Sequence, residues 1–88
     1  MKKSDKPSAG IVELDIHGMN KYQAKIFIES RLKKSDKSVY RLRVIHGYHG
    51  GTELRDMVRK EIGQNKKVLR VEMGLNQGET DLVLRELF

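Results

Sequence analysis

The stretch IVELDIHGMNKYQAKIFIESRLKK, residues 11–34, changes its periodicity half-way along. From Ile11 to His17 apolar and polar residues alternate, with Val12, Leu14 and Ile16 on one face and Glu13, Asp15 and His17 on the other. A period of two is that of a strand with one face buried. Gly18 breaks the alternation, and Asn20 is a good helix N-cap with Gln23 three residues on. Ala24, Phe27, Ile28 and Leu32 then recur at helical spacing up to about Lys34, and Lys33, Lys34 and Lys37 suit the negative pole of that helix.

The same strand-to-helix unit then repeats in kind. Val39 to His46 alternates again, with Tyr40, Leu42 and Val44 on one face and Arg41 and Arg43 on the other. A glycine-rich loop, His46 to Gly51, leads to Thr52, which can cap a second helix with Leu54, Val58 and Ile62 on its apolar face and Met57 beside them. Gly63 is read as the stop of this helix. Lys67 to Met73 predicts a third strand, with Leu69, Val71 and Met73 inward and Arg70 and Glu72 outward. A turn over Gly74 to Gly78 leads to a fourth strand, Thr80 to Leu87, with Leu82 and Leu84 inward. So short a link predicts a hairpin and therefore an antiparallel last strand. The order is βαβαββ. Right-handed crossovers place both helices on one face of a mixed four-stranded sheet, and alternating rather than continuous apolar strands leave the other face open. The expected fold is a two-layer α/β sandwich over residues 11–88, preceded by a polar arm, residues 1–10, that holds the single Pro.

Composition narrows the function. The chain has 88 residues, enough for one domain. Its 18 Lys+Arg against 12 Asp+Glu give a net charge of +6, and the pI is about 9.7. Such a surplus points to an anionic partner. With no Cys there is no disulfide framework, thiol nucleophile or thiolate metal site. No apolar run exceeds three residues, which excludes a hydrophobic membrane-spanning helix, and Lys2 and Lys3 are followed by no signal-like apolar stretch. The cytoplasm is the expected compartment.

Chemistry is expected beyond the carboxyl ends of the parallel strands, where open α/β sheets gather ligands. His17-Gly18 closes the first strand and His46-Gly47 the second, each ahead of a helix. Asp15 lies two residues before His17 and so shares its face, where it can orient the ring for proton transfer. On this reading Asp15, His17 and His46 are the candidate catalytic residues. Gly47, Gly50 and Gly51 are candidate phosphate contacts, against the plainer reading that they only permit the loop's turns. Tyr48 can stack a nucleobase or fold over the core edge, and His49 is read as exposed. Arg55, in the first turn of the second helix, sits next to the anion site, whereas Arg59 and Lys60 read as a solvated face. The open sheet face would carry Arg41, Arg43, Arg70 and Arg85 with Asp15 and His17. Those arginines either grip a phosphate backbone or pair across strands with Glu13, Asp15, Glu72 and Asp81. No Walker or Rossmann glycine pattern is present. Nor is there a carboxylate cluster of the kind two-metal nucleases need. No metal ligands are assigned, and a divalent ion such as Mg²⁺ stays open as a cofactor. RNA carries its own nucleophile in the 2′-OH, so histidine acid–base chemistry suffices to cleave it.

LDIHG (Leu14 to Gly18), IHGYHGGTELRDMV (Ile45 to Val58) and GETDLVLREL (Gly78 to Leu87) together resemble the Smr domain, the small MutS-related family. The resemblance covers roughly Val12 to Leu87. It implies a βαβαββ sandwich similar to the C-terminal domain of translation initiation factor three. It also implies nucleic-acid binding and, in many members, endonuclease activity on DNA or on messenger RNA at stalled ribosomes. By position it makes Asp15 and His17 the catalytic pair, and His46 and Gly47 the loop residues that meet the phosphate. The loop departs from the family's His-Gly-x-Gly pattern. Its second glycine comes one position later, and Tyr48 stands where a basic residue is usual. No MutS-like ATPase accompanies the match, so a stand-alone Smr protein is expected.

Two functional readings follow. One is an endonuclease that cuts or nicks RNA, or DNA, with the Asp-x-His pair and the glycine-rich loop. The other is a non-catalytic module that binds RNA, DNA or the ribosome through the same basic surface.

Overall fold

The computed structural model describes residues 10–47 and 52–86. β1 (Ile11–Asp15) leads to α1 (Lys21–Lys34), then to β2 (Arg41–Ile45). The second helical segment opens as α2 (Glu53–Asp56) and continues as a π-helical turn, Met57–Glu61, and a 3₁₀ turn, Ile62–Gln64. β3 (Arg70–Met73) and β4 (Glu79–Val83) complete the chain. Tyr48, His49, Gly50 and Gly51 lie outside the described residues, as does the expected polar arm except Gly10. Gly10 belongs with the sheet, since its carbonyl accepts the amides of Tyr40 and Arg41 at 2.9 and 3.3 Å.

The sheet order is β1-β2-β4-β3, with β1 and β2 parallel and β4 antiparallel to both of its neighbours. The expected hairpin is therefore present, and β4 lies between β2 and β3. Both helical segments cover one face. Ala24, Ile28 and Leu32 from α1, and Met57, Val58 and Ile62 from the second segment, form one core with Val12, Leu14, Leu42, Val44 and Leu82. Asn20 caps α1 by accepting the amides of Tyr22 and Gln23 at 2.7 and 3.4 Å. At the other end Lys67 Nζ donates to the carbonyls of Leu32 and Lys33, groups that the helix leaves without partners.

Three expectations need correction. Thr52 does not cap the second helix through its side chain, which donates to the Asp56 carboxylate at 3.2 Å instead. Gly63 does not stop that helix in a left-handed turn. It lies inside the 3₁₀ segment, where a β-carbon would come within 2.9 Å of Val71 Cγ2, so a close approach to β3 requires glycine. Leu69 and Met73 are 52% and 64% exposed rather than inward. β3 is an edge strand, and only Val71 in its middle packs against the core.

The π turn has a packing consequence. Its wider winding buries the consecutive residues Met57 and Val58 together, and the Ile62 amide reaches back to the Met57 and Val58 carbonyls. The residue after this pair, Arg59, is carried toward β4.

Candidate nucleic-acid interface

β1 and β2 run in parallel register, with Asp15 opposite Ile45, so their carboxyl ends emerge side by side. Gly18 and Gly47 both take a positive φ there, 81° and 79°, where a side chain would be strained. A β-carbon on Gly47 would stand 3.5 Å from His17 Cβ, so the two His-Gly ends do come together.

The histidines, however, lie on opposite sides of the sheet. His17 follows Glu13 and Asp15 onto the open face. Its Nδ1 is 2.6 Å from Asp15 Oδ1, which also accepts the His17 amide at 3.2 Å. A carboxylate can only accept, so Nδ1 carries the proton and Nε2 presents a lone pair. Among the described residues Nε2 has no hydrogen-bond partner. The pair is 68% and 56% exposed. A side-chain contact so open to solvent contributes little to stability.

His46 follows Leu42 and Val44 onto the helix-covered face and is 6% exposed. Nδ1 faces the Gly47 carbonyl at 2.8 Å, and Nε2 faces Thr80 Oγ1 at 2.8 Å. The carbonyl accepts, so Nδ1 donates and Nε2 accepts the Thr80 hydroxyl proton. The remaining Thr80 lone pairs receive Arg59 Nε–H at 2.9 Å. Burial holds His46 below the usual imidazole range. The Gly47 carbonyl opposes that shift, while Arg59 and Arg55 reinforce it. His46 was expected beside His17 as a catalytic residue, and the structure places it on the other face of the sheet. Both ring nitrogens are engaged inside the protein, and the ring ties Gly47 to Thr80. The Gly78 carbonyl completes the anchor by accepting the amides of both His46 and Gly47 at 2.9 Å.

The arginines expected to grip a phosphate backbone are held by carboxylates. Asp81, 1% exposed, accepts Arg41 Nη1 at 2.6 Å and Arg43 Nε and Nη2 at 3.0 and 2.9 Å. Arg41 also meets Glu72 at 3.1 Å, and Arg70 binds Glu72 and Glu86 at 2.7 and 2.6 Å. Donating to Asp81 raises the Arg41 and Arg43 pKa values, and the bond received from Arg70 lowers that of Glu72. Of the two readings of this face, cross-strand pairing is the one realised. Arg85 donates to the Lys37 carbonyl at 2.6 Å. Arg55 differs from these. Its one carboxylate contact is long, 3.5 Å to Asp56; its buried Nε, like that of Arg41, has no partner among the described residues.

Among the described residues no three His, Asp or Glu side chains converge as a metal site. None of the described helices is long and apolar enough to cross a membrane. A cavity of about 390 Å³ lies between Leu32, Val39, Lys67 and Arg85, at the opposite end of the sheet from His17. The exposed Asp15–His17 pair sits on the rim formed by the ends of β1 and β2.

Residues 14–81 match the family model described as the Smr domain. The chain belongs to the Smr domain family. The crystal structure of the Smr domain of Thermus thermophilus MutS2 is similar, with a TM-score of 0.74 at 24% identity over 84% of this chain and 98% of that one. At that identity the likeness speaks for the fold. No curated protein matches the chain. The family match runs from the start of the Asp-x-His element to the Asp81 that anchors Arg41 and Arg43, so the rim lies within the Smr domain.

Sequence reasoning missed Arg59 and Thr80. Thr80 shares the inward parity of Leu82, and a threonine at that position signals a buried hydroxyl in need of partners.

Proposed function

We propose that this Smr domain is a nucleic-acid-binding endonuclease that cleaves single-stranded RNA. The exposed Asp15–His17 pair at the joined ends of β1 and β2 carries the reading. Asp15 fixes the tautomer. His17 Nε2 takes the proton of a ribose 2′-OH, the 2′-oxygen attacks the adjacent phosphorus, and the bond to the 5′-oxygen breaks. The imidazolium returns its proton to that oxygen, leaving a cyclic phosphate and a 5′-hydroxyl. Gly47, lacking a side chain, lets the phosphate approach His17. Arg55 supplies charge beside it.

The test incubates labelled single-stranded RNA and matched DNA with the protein, in EDTA and in Mg²⁺. RNA cleavage that survives EDTA and falls by about 10²–10⁴-fold in Asp15→Ala and in His17→Ala is expected. Cleavage that needs metal, or that persists without either residue, overturns the mechanism. Binding without cleavage in every condition overturns the nuclease reading and leaves a binding module, on the ribosome or on free RNA.

A further inference from the structure

We infer that Arg59 is a phosphate-binding residue of this rim, held in place by a hydrogen-bonded chain through Thr80 and His46 to the Gly47 carbonyl. The inference rests on the proposed nucleic-acid reading and names a contact on the helix side of the sheet, across the strand ends from His17.

The chain is continuous. Arg59 Nε–H donates to Thr80 Oγ1 at 2.9 Å, the Thr80 hydroxyl donates to His46 Nε2 at 2.8 Å, and His46 Nδ1–H donates to Gly47 O at 2.8 Å. Each group fills the complementary role, so the polarity of the chain has one solution once the terminal carbonyl accepts. It locks the inner nitrogen of the guanidinium. The two Nη groups take no hydrogen bond among the described residues, although the side chain is half-buried. A guanidinium fixed at Nε with both Nη groups presented is a fork that fits two oxygens of one phosphate.

The rest of the surface directs attention to the same place. Arg41, Arg43 and Arg70 make close contacts with carboxylates and Arg85 faces a carbonyl, whereas Arg55, one helical turn before Arg59, has only a 3.5 Å contact with its neighbour Asp56. Arg55 and Arg59 both lie close enough to His46 to lower its pKa. His46 stays neutral between them and adds no repulsion to their two charges. The ligand class is a phosphodiester of single-stranded nucleic acid, seated across Gly47 from the Asp15–His17 pair.

A short 2′-O-methyl oligouridylate, which cannot be cleaved through a 2′-OH, is the probe. Its binding is measured against salt for the full chain and for Arg59→Gln, Thr80→Ser and Thr80→Val. Loss of Arg59 should weaken binding roughly ten-fold and flatten the log K against log salt slope by about 0.7, the value for one phosphate on a single strand. Thr80→Ser keeps the hydroxyl and should bind like the wild type, while Thr80→Val should weaken binding in the same direction as Arg59→Gln. The Arg59 Nε–H resonance should move on adding the probe, and the ring ¹⁵N shifts of His46 should report the Nδ1–H tautomer. If the wild type binds but Arg59→Gln keeps its affinity and slope, or the Nε–H resonance stays still, Arg59 is no phosphate ligand and the nucleic-acid reading survives. If the wild type does not bind the probe at all, both fall.

Discussion

His17 and His46 occupy equivalent strand ends and have opposite fates. Counting by twos from Leu42 places His46 with Val44 in the core, and counting from Glu13 places His17 outside, so this division was present in the alternation itself. Burial then gives His46 a pH signature. Its folded-state pKa lies below that of the unfolded chain, so the unfolded state binds the extra proton first. Its stabilising contribution is complete above the unfolded value, about 6.5, and is lost as pH falls through the lower folded value. Denaturant midpoints measured across that range should fall toward acid, and His46→Asn should reduce the fall. Asp81 is the second residue on which much depends. Replacing it with Asn leaves two half-buried guanidinium groups without their shared carboxylate, and urea unfolding should show a loss of about 3 kcal/mol.

At the scale of elements, periodicity predicted every strand and helix and overran the strand ends. The pattern over 67–73 reads as a full strand, while the ladder holds only Arg70–Met73, because the Val68 amide closes a turn on the Asn65 carbonyl just before it and Leu69 joins β4 only through its amide to Val83. Leu69 and Met73 look inward by parity, yet an edge strand gives them nothing to pack against. Leu69→Lys and Met73→Lys should each change unfolding free energy by no more than about 0.5 kcal/mol. Leu82→Ala, in the central strand β4, should cost about 2–5 kcal/mol in the same assay. Gly63→Ala should cost about 1–3 kcal/mol, because the helix end must move off Val71. The π turn at Met57–Glu61 left no mark that periodicity could read. Val58 and Ile62 fit a regular helix on paper, and the widening comes from burying Met57 as well.

At the scale of the molecule, a net charge of +6 does not say where the charge is available. The open sheet face uses its guanidinium groups on its own carboxylates, and Arg55, Arg59 and Lys60 of the second helical segment stand outside that pairing. Three phosphate contacts on a single strand predict a log K against log salt slope near about −2, whereas adding Arg41, Arg43 and Arg70 would steepen it to about −4. An affinity series in rising salt distinguishes the two. The sequence by itself determined the element order, the faces of the strands and the Asp15–His17 pair, because each depends on residues within a few positions of one another. Beyond the β3–β4 hairpin, only the tertiary structure decided which strands are neighbours. Inserting β4 between β2 and β3 brings Thr80 to His46 across 34 positions and Asp81 to Arg43 across 38. A period of two tells each side chain its face; it carries no information about the partner on the next strand, which the order of the sheet alone supplies.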